Sequence, residues 1–181
     1  MAMGMLAAMK RTNLILAAMA AALTFVGIGS PAGAQSAPRQ IGVFQDWRAY
    51  TYQVDGKKIC YAVSKPKSSR PTNVRRGEIY MMVTNRPGEK VKDEVSVYIG
   101  YPFKSESSAR IRIGGDATDL FTKGENAWTP NPETDGKLIK QMRRGRSMVI
   151  NGTSARGTKT TDTYSLMGFT KAHRAIASAC S

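Results

Sequence analysis

The single histidine, His173, and the only two cysteines, Cys60 and Cys180, are the side chains of this sequence best suited to nucleophilic or redox chemistry. A Ser-His-Asp or Cys-His arrangement would have to use His173. Neither cysteine has a histidine beside it, and the chain has no Cys-x-x-Cys pair. His173 also falls on the apolar side of a helical pattern near the C-terminus. We therefore expect His173 to pack in a helix face and not to catalyse a reaction.

Carboxylates and glycines offer little further chemistry. Asp116 and Asp119 could in principle act as an acid and a base, but they follow two glycines, and carboxylates on such turns are typically solvated. The acidic residues lack the spacing of an EF-hand loop, and the glycines form neither G-x-G-x-x-G nor a phosphate-binding loop. The sequence therefore predicts no metal site and no cofactor.

The N-terminal residues have the pattern of a secretory signal. Lys10 and Arg11 precede an apolar run over residues 14–29, and small residues follow at 32–34. The run is too short for a bilayer span, which needs about 20 residues. We expect residues 1–34 to be cleaved, and we expect no transmembrane segment in the mature protein.

Export would place both cysteines in an oxidising compartment, where an even pair favours a disulfide. A bridge between Cys60 and Cys180 would clamp the C-terminus to an early strand. The alternative is that the thiols stay free and that one of them is reactive.

The chain is strongly basic, with a formal charge of +14, or +12 once Lys10 and Arg11 leave with the signal. Such a charge favours anionic partners. The candidate polyanion-binding residues lie in the densest basic clusters and are Arg75, Arg76, Arg143, Arg144, Arg146, Arg156 and Lys159. Guanidinium groups match phosphate, sulfate and carboxylate geometry, so these clusters would form a polyanion site if the fold brings them together. The alternative is three separate solvated corners.

Aromatic residues do not interleave with these basic clusters as they do in grooves for single-stranded nucleic acid. We therefore expect no dedicated nucleic-acid binding.

Short alternating segments dominate the rest of the chain. The Asp55-Gly56 turn predicts a hairpin of residues 47–54 and 58–64. Alternation predicts further strands within residues 78–84, 94–103, 109–113, 119–123, 147–152 and 160–169. Helical spacing predicts a short internal helix over 137–145 and a C-terminal helix from Phe169.

Three remaining segments are read from their composition. Residues 35–42 are expected to be a flexible lead-in, and residues 65–77 a basic loop. Trp128 lies among turn-forming residues, where it either anchors a loop against the core or stands exposed as a contact residue; we favour anchoring. The sequence thus predicts a mainly β protein, an antiparallel β-sandwich or barrel-like domain over residues 43–181 with a short internal helix and a C-terminal helix.

The C-terminal string "GTSARGTKTTDTYSLMGFTKAHRAIASAC" resembles the closing segment of the invasion-associated locus B family, and "DWRAYTY" with "CYAVSKP" resembles its opening. The central "GEIYMMVTNRPGEKVKDEVSVYIGYPF" is similar to its middle strands. The resemblance implies an exported alphaproteobacterial protein, periplasmic or surface-associated, with a β-sandwich-like domain and a disulfide that matches Cys60 and Cys180. His173 stands where an aliphatic residue is expected, which argues against a family-wide catalytic role.

Two functional hypotheses follow. The first is an exported, non-enzymatic envelope or host-interaction protein associated with invasion, whose basic surface binds an anionic envelope component, a host-surface component or an outer-membrane protein. The second is a periplasmic enzyme, a hydrolase or lyase of unrecognised type. Convergence of polar groups in a concave pocket would favour the enzyme, because surface binding does not need it.

Overall fold

The structure is a computed structural model that describes residues 36–181. The predicted signal peptide and its cleavage site lie outside the described residues. Among residues 36–181, no helix combines the length and apolar character needed to cross a bilayer.

The described residues form an 11-stranded sheet and two α-helices. The strands are β1 (Arg39–Phe44), β2 (Trp47–Val54), β3 (Lys57–Ser64), β4 (Ser68–Arg70), β5 (Tyr80–Arg86), β6 (Val91–Tyr98), β7 (Ala109–Ile113), β8 (Asp116–Lys123), β9 (Asn126–Trp128), β10 (Ser147–Thr153) and β11 (Lys159–Ser165). The helices are α1 (Pro132–Arg144) and α2 (Phe169–Ala179), and a 3-10 turn (Pro87–Glu89) joins β5 to β6.

The sheet is antiparallel and open, with the order β1-β2-β3-β5-β6-β9-β8-β7-β10-β11-β4. Strand β8 divides it, because residues 116–120 pair with β7 whereas residues 121–123 pair with β9. We call β1-β2-β3-β5-β6-β9 the first half and β7-β10-β11-β4 the second half. The prediction of a mainly β, antiparallel fold with a C-terminal helix is confirmed.

Alternation along the strands sends one set of side chains into a core shared by both halves and both helices. The large, fully buried side chains include Trp47, Met81, Ile99, Ile111, Leu120, Leu138, Met148, Ile150, Tyr164 and Phe169. Each such side chain contributes about 1.5–3 kcal/mol through burial. Trp47 of β2 also joins the two halves, since its Nε1 donates to the Ser165 carbonyl of β11 at 3.0 Å.

Helix α1 begins at Pro132, five residues before the predicted start of the internal helix at residue 137. Asn131 caps it by accepting a hydrogen bond from the Thr134 N–H at 2.9 Å, and proline is favoured in a first helical turn. The prediction of the helix start was wrong because this capping sequence also reads as a turn. The helix ends before Gly145, where a Cβ would lie 2.7 Å from Ile113.

Helix α2 packs against β1, β2 and β3 and buries Phe169, Ala172, His173 and Ile176, the face predicted from the sequence. It follows Gly168, whose φ of 90° is unfavourable for other residues. A Cβ at Gly168 would meet the Phe44 carbonyl oxygen at 1.9 Å.

Two segments that were predicted to be irregular contain strands. Residues 39–42 of the expected lead-in belong to β1, which pairs with β2. Residues 68–70 of the expected basic loop form β4, which pairs with β11 at the sheet edge. Both are edge strands, and their polar sequences lack the apolar alternation by which the central strands were found.

Candidate functional site

Cys60 of β3 and Cys180, which follows α2, form a disulfide. Cys60 is fully buried, and the bridge holds the end of α2 against the first half. The predicted staple is confirmed, and no cysteine of the described residues is left as a thiol.

His173 lies between two charged side chains. Arg143 Nη2 lies 2.8 Å from His173 Nδ1, and His173 Nε2 lies 2.7 Å from Asp93 Oδ1. Because a guanidinium can only donate, Nδ1 accepts and Nε2 carries the proton that it donates to Asp93. The chain of hydrogen bonds therefore joins α1, α2 and β6.

Asp93 is ionised in this arrangement. Burial acts to raise its pKa, but the hydrogen bond from His173, together with the charges of Lys92 and Arg143, outweighs burial and lowers it. Its backbone adopts a φ of 60°, and its N–H donates to Asn85 Oδ1 at 2.7 Å. Such a local anchor fixes the carboxylate beside the histidine.

This histidine has no nucleophile beside it. Among the hydrogen bonds of residues 36–181, His173 contacts only Asp93 and Arg143, and no serine, threonine or cysteine. Its side chain is only 3% exposed. The geometry is that of a packed helix face that carries a polar link, as the apolar stripe indicated.

Arg76 does not have the exposed, unpaired guanidinium that polyanion binding requires. Its guanidinium pairs with both carboxylate oxygens of Asp162 and donates to the Ile99 carbonyl, and its side chain is 6% exposed. It also lies over the Tyr101 ring, 5.0 Å from the centroid. The group supports the fold, and its charge is neutralised inside the domain.

Arg75 and Arg156 are free and share a cavity of about 780 Å³. The cavity lies between residues 73–76, residues 100–102 and residues 154–160, and Arg76 and Tyr101 also line it. Within the described residues neither Arg75 nor Arg156 has a side-chain hydrogen bond or ion pair, and both are exposed. Two of the three basic clusters thus meet at one open, concave site.

The remaining candidate residues do not line this cavity. Arg144 and Arg146 are exposed near the end of α1, where Arg143 is engaged by His173. Lys159 lies beside Arg110 and Arg112 on the outer side of the second half. The seven basic residues therefore do not form one continuous site.

The two carboxylates considered for acid/base work lie on β8. Asp119 accepts two hydrogen bonds from Arg110, at 2.6 and 2.9 Å, and these bonds lower its pKa. A carboxylate held ionised in this way is a poor proton donor. Within the described part of the chain, no group of three or more His, Cys, Asp or Glu side chains is arranged to hold a metal ion.

Residues 47–177 match the model of the invasion associated locus B (IalB) protein family. The chain belongs to the IalB family. No curated protein and no solved structure matches it. The matched segment contains His173 and the cavity arginines, Arg75 and Arg156, whereas Cys180 lies just beyond its end.

IalB proteins are exported and are named for their association with invasion, and the family is not known as an enzyme family. The disulfide of this member fits an oxidising compartment outside the cytoplasm.

A second surface of this IalB protein was not predicted from the sequence. Trp128 was expected to anchor a loop in the core, but it lies on β9 with its neighbours Ala127 and Thr129 buried, so its ring points to the outer face. Strand alternation is the signal that could have found it. If residues 126–128 form a strand and the apolar Ala127 faces the core, Trp128 must lie on the opposite face.

Proposed function

We propose that this IalB protein is an exported, non-enzymatic binding protein that meets the cell envelope or a host surface and holds an anionic group of its partner at Arg75 and Arg156. The observation that carries the proposal is the meeting of these two unpaired guanidinium groups at one cavity. The family's association with invasion supports a partner at the envelope or host surface.

The turn that bears Arg156 is held in place. The Thr158 N–H donates to Ser154 Oγ at 3.1 Å, and the Gly157 N–H donates to the Ser154 carbonyl at 2.8 Å. Gly157 has a φ of 83°, a conformation that favours glycine. The turn is thus fixed before a ligand arrives, which lowers the entropy cost of binding.

The segment that bears Arg75 is held by its neighbours. Arg76 fixes it to Asp162, and the Gly77 N–H donates to the Gly100 carbonyl at 2.8 Å. Arg75 therefore projects from an anchored backbone. Two guanidinium groups on separate anchored segments can each donate paired hydrogen bonds to one phosphate, sulfate or carboxylate group.

The cavity lining has an excess of free positive charge. Among the described residues, its one acidic side chain is Glu125, against the free Arg75 and Arg156, while the charge of Arg76 is neutralised by Asp162. The buried state of His173, with no nucleophile beside it, supports the non-enzymatic part of the proposal.

Binding to lipopolysaccharide, heparin and outer-membrane vesicles across a salt series tests the proposal. The variant Arg75→Ser with Arg156→Ser is compared with a control of equal charge change, Arg144→Ser with Arg146→Ser. We expect the cavity variant to lose about tenfold or more in affinity for one ligand at physiological salt, because a hydrogen bond to a charged group contributes about 1.5–3 kcal/mol. Equal weak binding by both variants and the unmodified protein would show that the net positive charge attracts anions without a specific binding site.

A further inference from the structure

The outer face of the first half, together with the adjoining end of β8, is rich in aromatic side chains. We call these residues the aromatic face: Tyr50, Tyr52, Tyr61, Tyr80, Tyr98, Phe121 and Trp128. All are half-buried except Phe121, which is 52% exposed. They occupy the positions that alternate with core residues, so they belong to no other packed layer among the described residues.

The rings form pairs across neighbouring strands. Tyr50 and Tyr61 stack with centroids 5.2 Å apart, and Tyr80 and Tyr98 stack at 5.1 Å. Phe121 and Trp128 stack at 5.4 Å at the other end of the first half. Ring pairs of this kind hold each side chain in one orientation and so preorganise the surface.

A groove of about 660 Å³ runs between these rings. Its floor follows one row of paired residues, Val63, Met82 and Ser96, which continues to Trp128. Four neighbouring strands span about 14 Å at the usual strand spacing. The groove is therefore long enough for a short oligosaccharide.

The charged groups of the groove are paired within the protein. Arg86 donates to both carboxylate oxygens of Glu94, at 2.9 and 3.0 Å, and to Glu89 at 2.7 Å. Lys65 pairs with Glu78. Unlike the cavity of Arg75 and Arg156, the described lining of the groove therefore presents no free formal charge. Such a surface suits an uncharged ligand.

The rings also carry polar tips. In residues 36–181 the hydroxyls of Tyr52, Tyr61 and Tyr80 have no hydrogen-bond partner, and each can donate one hydrogen bond and accept others. Asn126 adds an amide to the lining. Apolar ring faces bordered by hydroxyl and amide groups suit a molecule with apolar C–H faces and hydroxyl edges better than an acyl chain, which would leave these polar groups unpaired.

We propose that the aromatic face binds an uncharged glycan chain. Sugar C–H faces pack on the rings of Tyr61, Tyr80 and Trp128, and sugar hydroxyls bond to the tyrosine tips, Asn126 and Ser96. The site is separate from the cavity of Arg75 and Arg156 and does not depend on an anion being bound there.

Titration of the mature chain with soluble dextran, laminarin and galactomannan tests this inference, with tryptophan fluorescence as the readout. Trp128 borders the groove, whereas the other tryptophan, Trp47, is fully buried. We expect at least one polysaccharide to change the emission and to bind equally at about 0.15 M and 1 M salt, because no free charge takes part.

Matched variants locate the site. Tyr61→Ala with Tyr80→Ala should raise the dissociation constant at least tenfold, and Tyr61→Phe with Tyr80→Phe, which keeps the rings and the fold, should raise it less. Met167→Ala, at an exposed apolar residue off this face, and Arg75→Ser with Arg156→Ser should leave glycan binding unchanged.

Four results would overturn the inference: no response to any of the three polysaccharides, loss of binding with salt, equal binding by the double alanine variant, or sedimentation showing that the aromatic face joins two copies of the chain. The salt dependence and the two sets of variants separate failure at this face from failure at the arginine cavity.

Discussion

Both carboxylate oxygens of Asp162 accept hydrogen bonds from the guanidinium of Arg76, at 2.7 and 2.6 Å, and the Asp162 side chain has no exposed surface. The two residues are 86 positions apart in the chain. Removal of one partner from a buried pair leaves an uncompensated charge and typically costs about 3–5 kcal/mol.

We therefore expect Arg76→Met to lower the free energy of unfolding by about 3–5 kcal/mol in urea denaturation. Arg75→Ser, at the exposed neighbouring position, should change it by less than about 0.5 kcal/mol. The double variant Arg76→Met with Asp162→Leu should be more stable than Arg76→Met alone, since no charge remains buried. A loss below about 1 kcal/mol for Arg76→Met would contradict this account.

The disulfide closes a loop with a sequence separation of 120. By the chain-entropy model, Cys60→Ala with Cys180→Ala should lower the free energy of unfolding by about 4–5 kcal/mol. Reductant should destabilise the unmodified protein by a similar amount and leave the double variant unchanged. Identical urea midpoints for the unmodified protein with and without reductant would argue against the bridge.

His173→Leu should destabilise the protein by about 1–3 kcal/mol, because it leaves Asp93 without the donor that holds its charge. Arg174→Ala, at the next and exposed position of α2, serves as the control. Ligand binding at the arginine cavity should be unaffected by His173→Leu. Unchanged or higher stability would show that the hydrogen bonds of His173 contribute nothing to folding.

Asp93 and Asp135 should respond to pH in opposite directions. Burial acts to raise the pKa of Asp93, but His173 and the nearby positive charges lower it. Its stabilising effect is therefore present above the unfolded value of about 3.9 and is lost as the pH falls through the folded value. Asp93→Asn should therefore be more destabilising at pH 6 than at pH 3.

Burial raises the pKa of Asp135, with the charges of Glu94 and Asp93 adding to it, and the hydrogen bonds from Thr129 and the Val95 N–H oppose the rise only in part. Its contribution is complete below the unfolded pKa and is lost as the pH rises through the folded value. The cost of Asp135→Asn should therefore shrink from pH 3 to pH 6. Urea denaturation at both pH values checks the pair, and parallel pH profiles for the two variants would contradict the assigned shifts.

Period-two alternation was sufficient to predict which side of β7 faces the core. Ile111 and Ile113 are buried, whereas Arg110 and Arg112 are exposed, as their spacing indicated. The face of α2 followed from its apolar spacing in the same way. Both patterns are local, because they depend only on residues that are close together in the sequence.

Partners that are distant in sequence were not predictable. The residues next to Arg76 give no sign that it pairs with Asp162, so Arg76 was predicted to be a surface cation like Arg75. Arg143 was assigned to a basic cluster for the same reason, although its guanidinium reaches His173. Trp128 was misplaced because the turn-forming residues around it concealed a strand of only three residues.

Strand β8 and the order of its neighbours have a consequence for cooperativity. The early strand β4 forms the edge of the second half. The later strand β9 belongs to the first half, and β8 pairs with β9 and with β7 of the second half. A division of the chain between β6 and β7 would leave the first half without β9 and the second half without β4, and would expose unpaired backbone edges. The two halves are thus not modules that can be exchanged or unfolded one at a time, and the domain should unfold in a single transition. Its folding should be slow, because long-range contacts dominate.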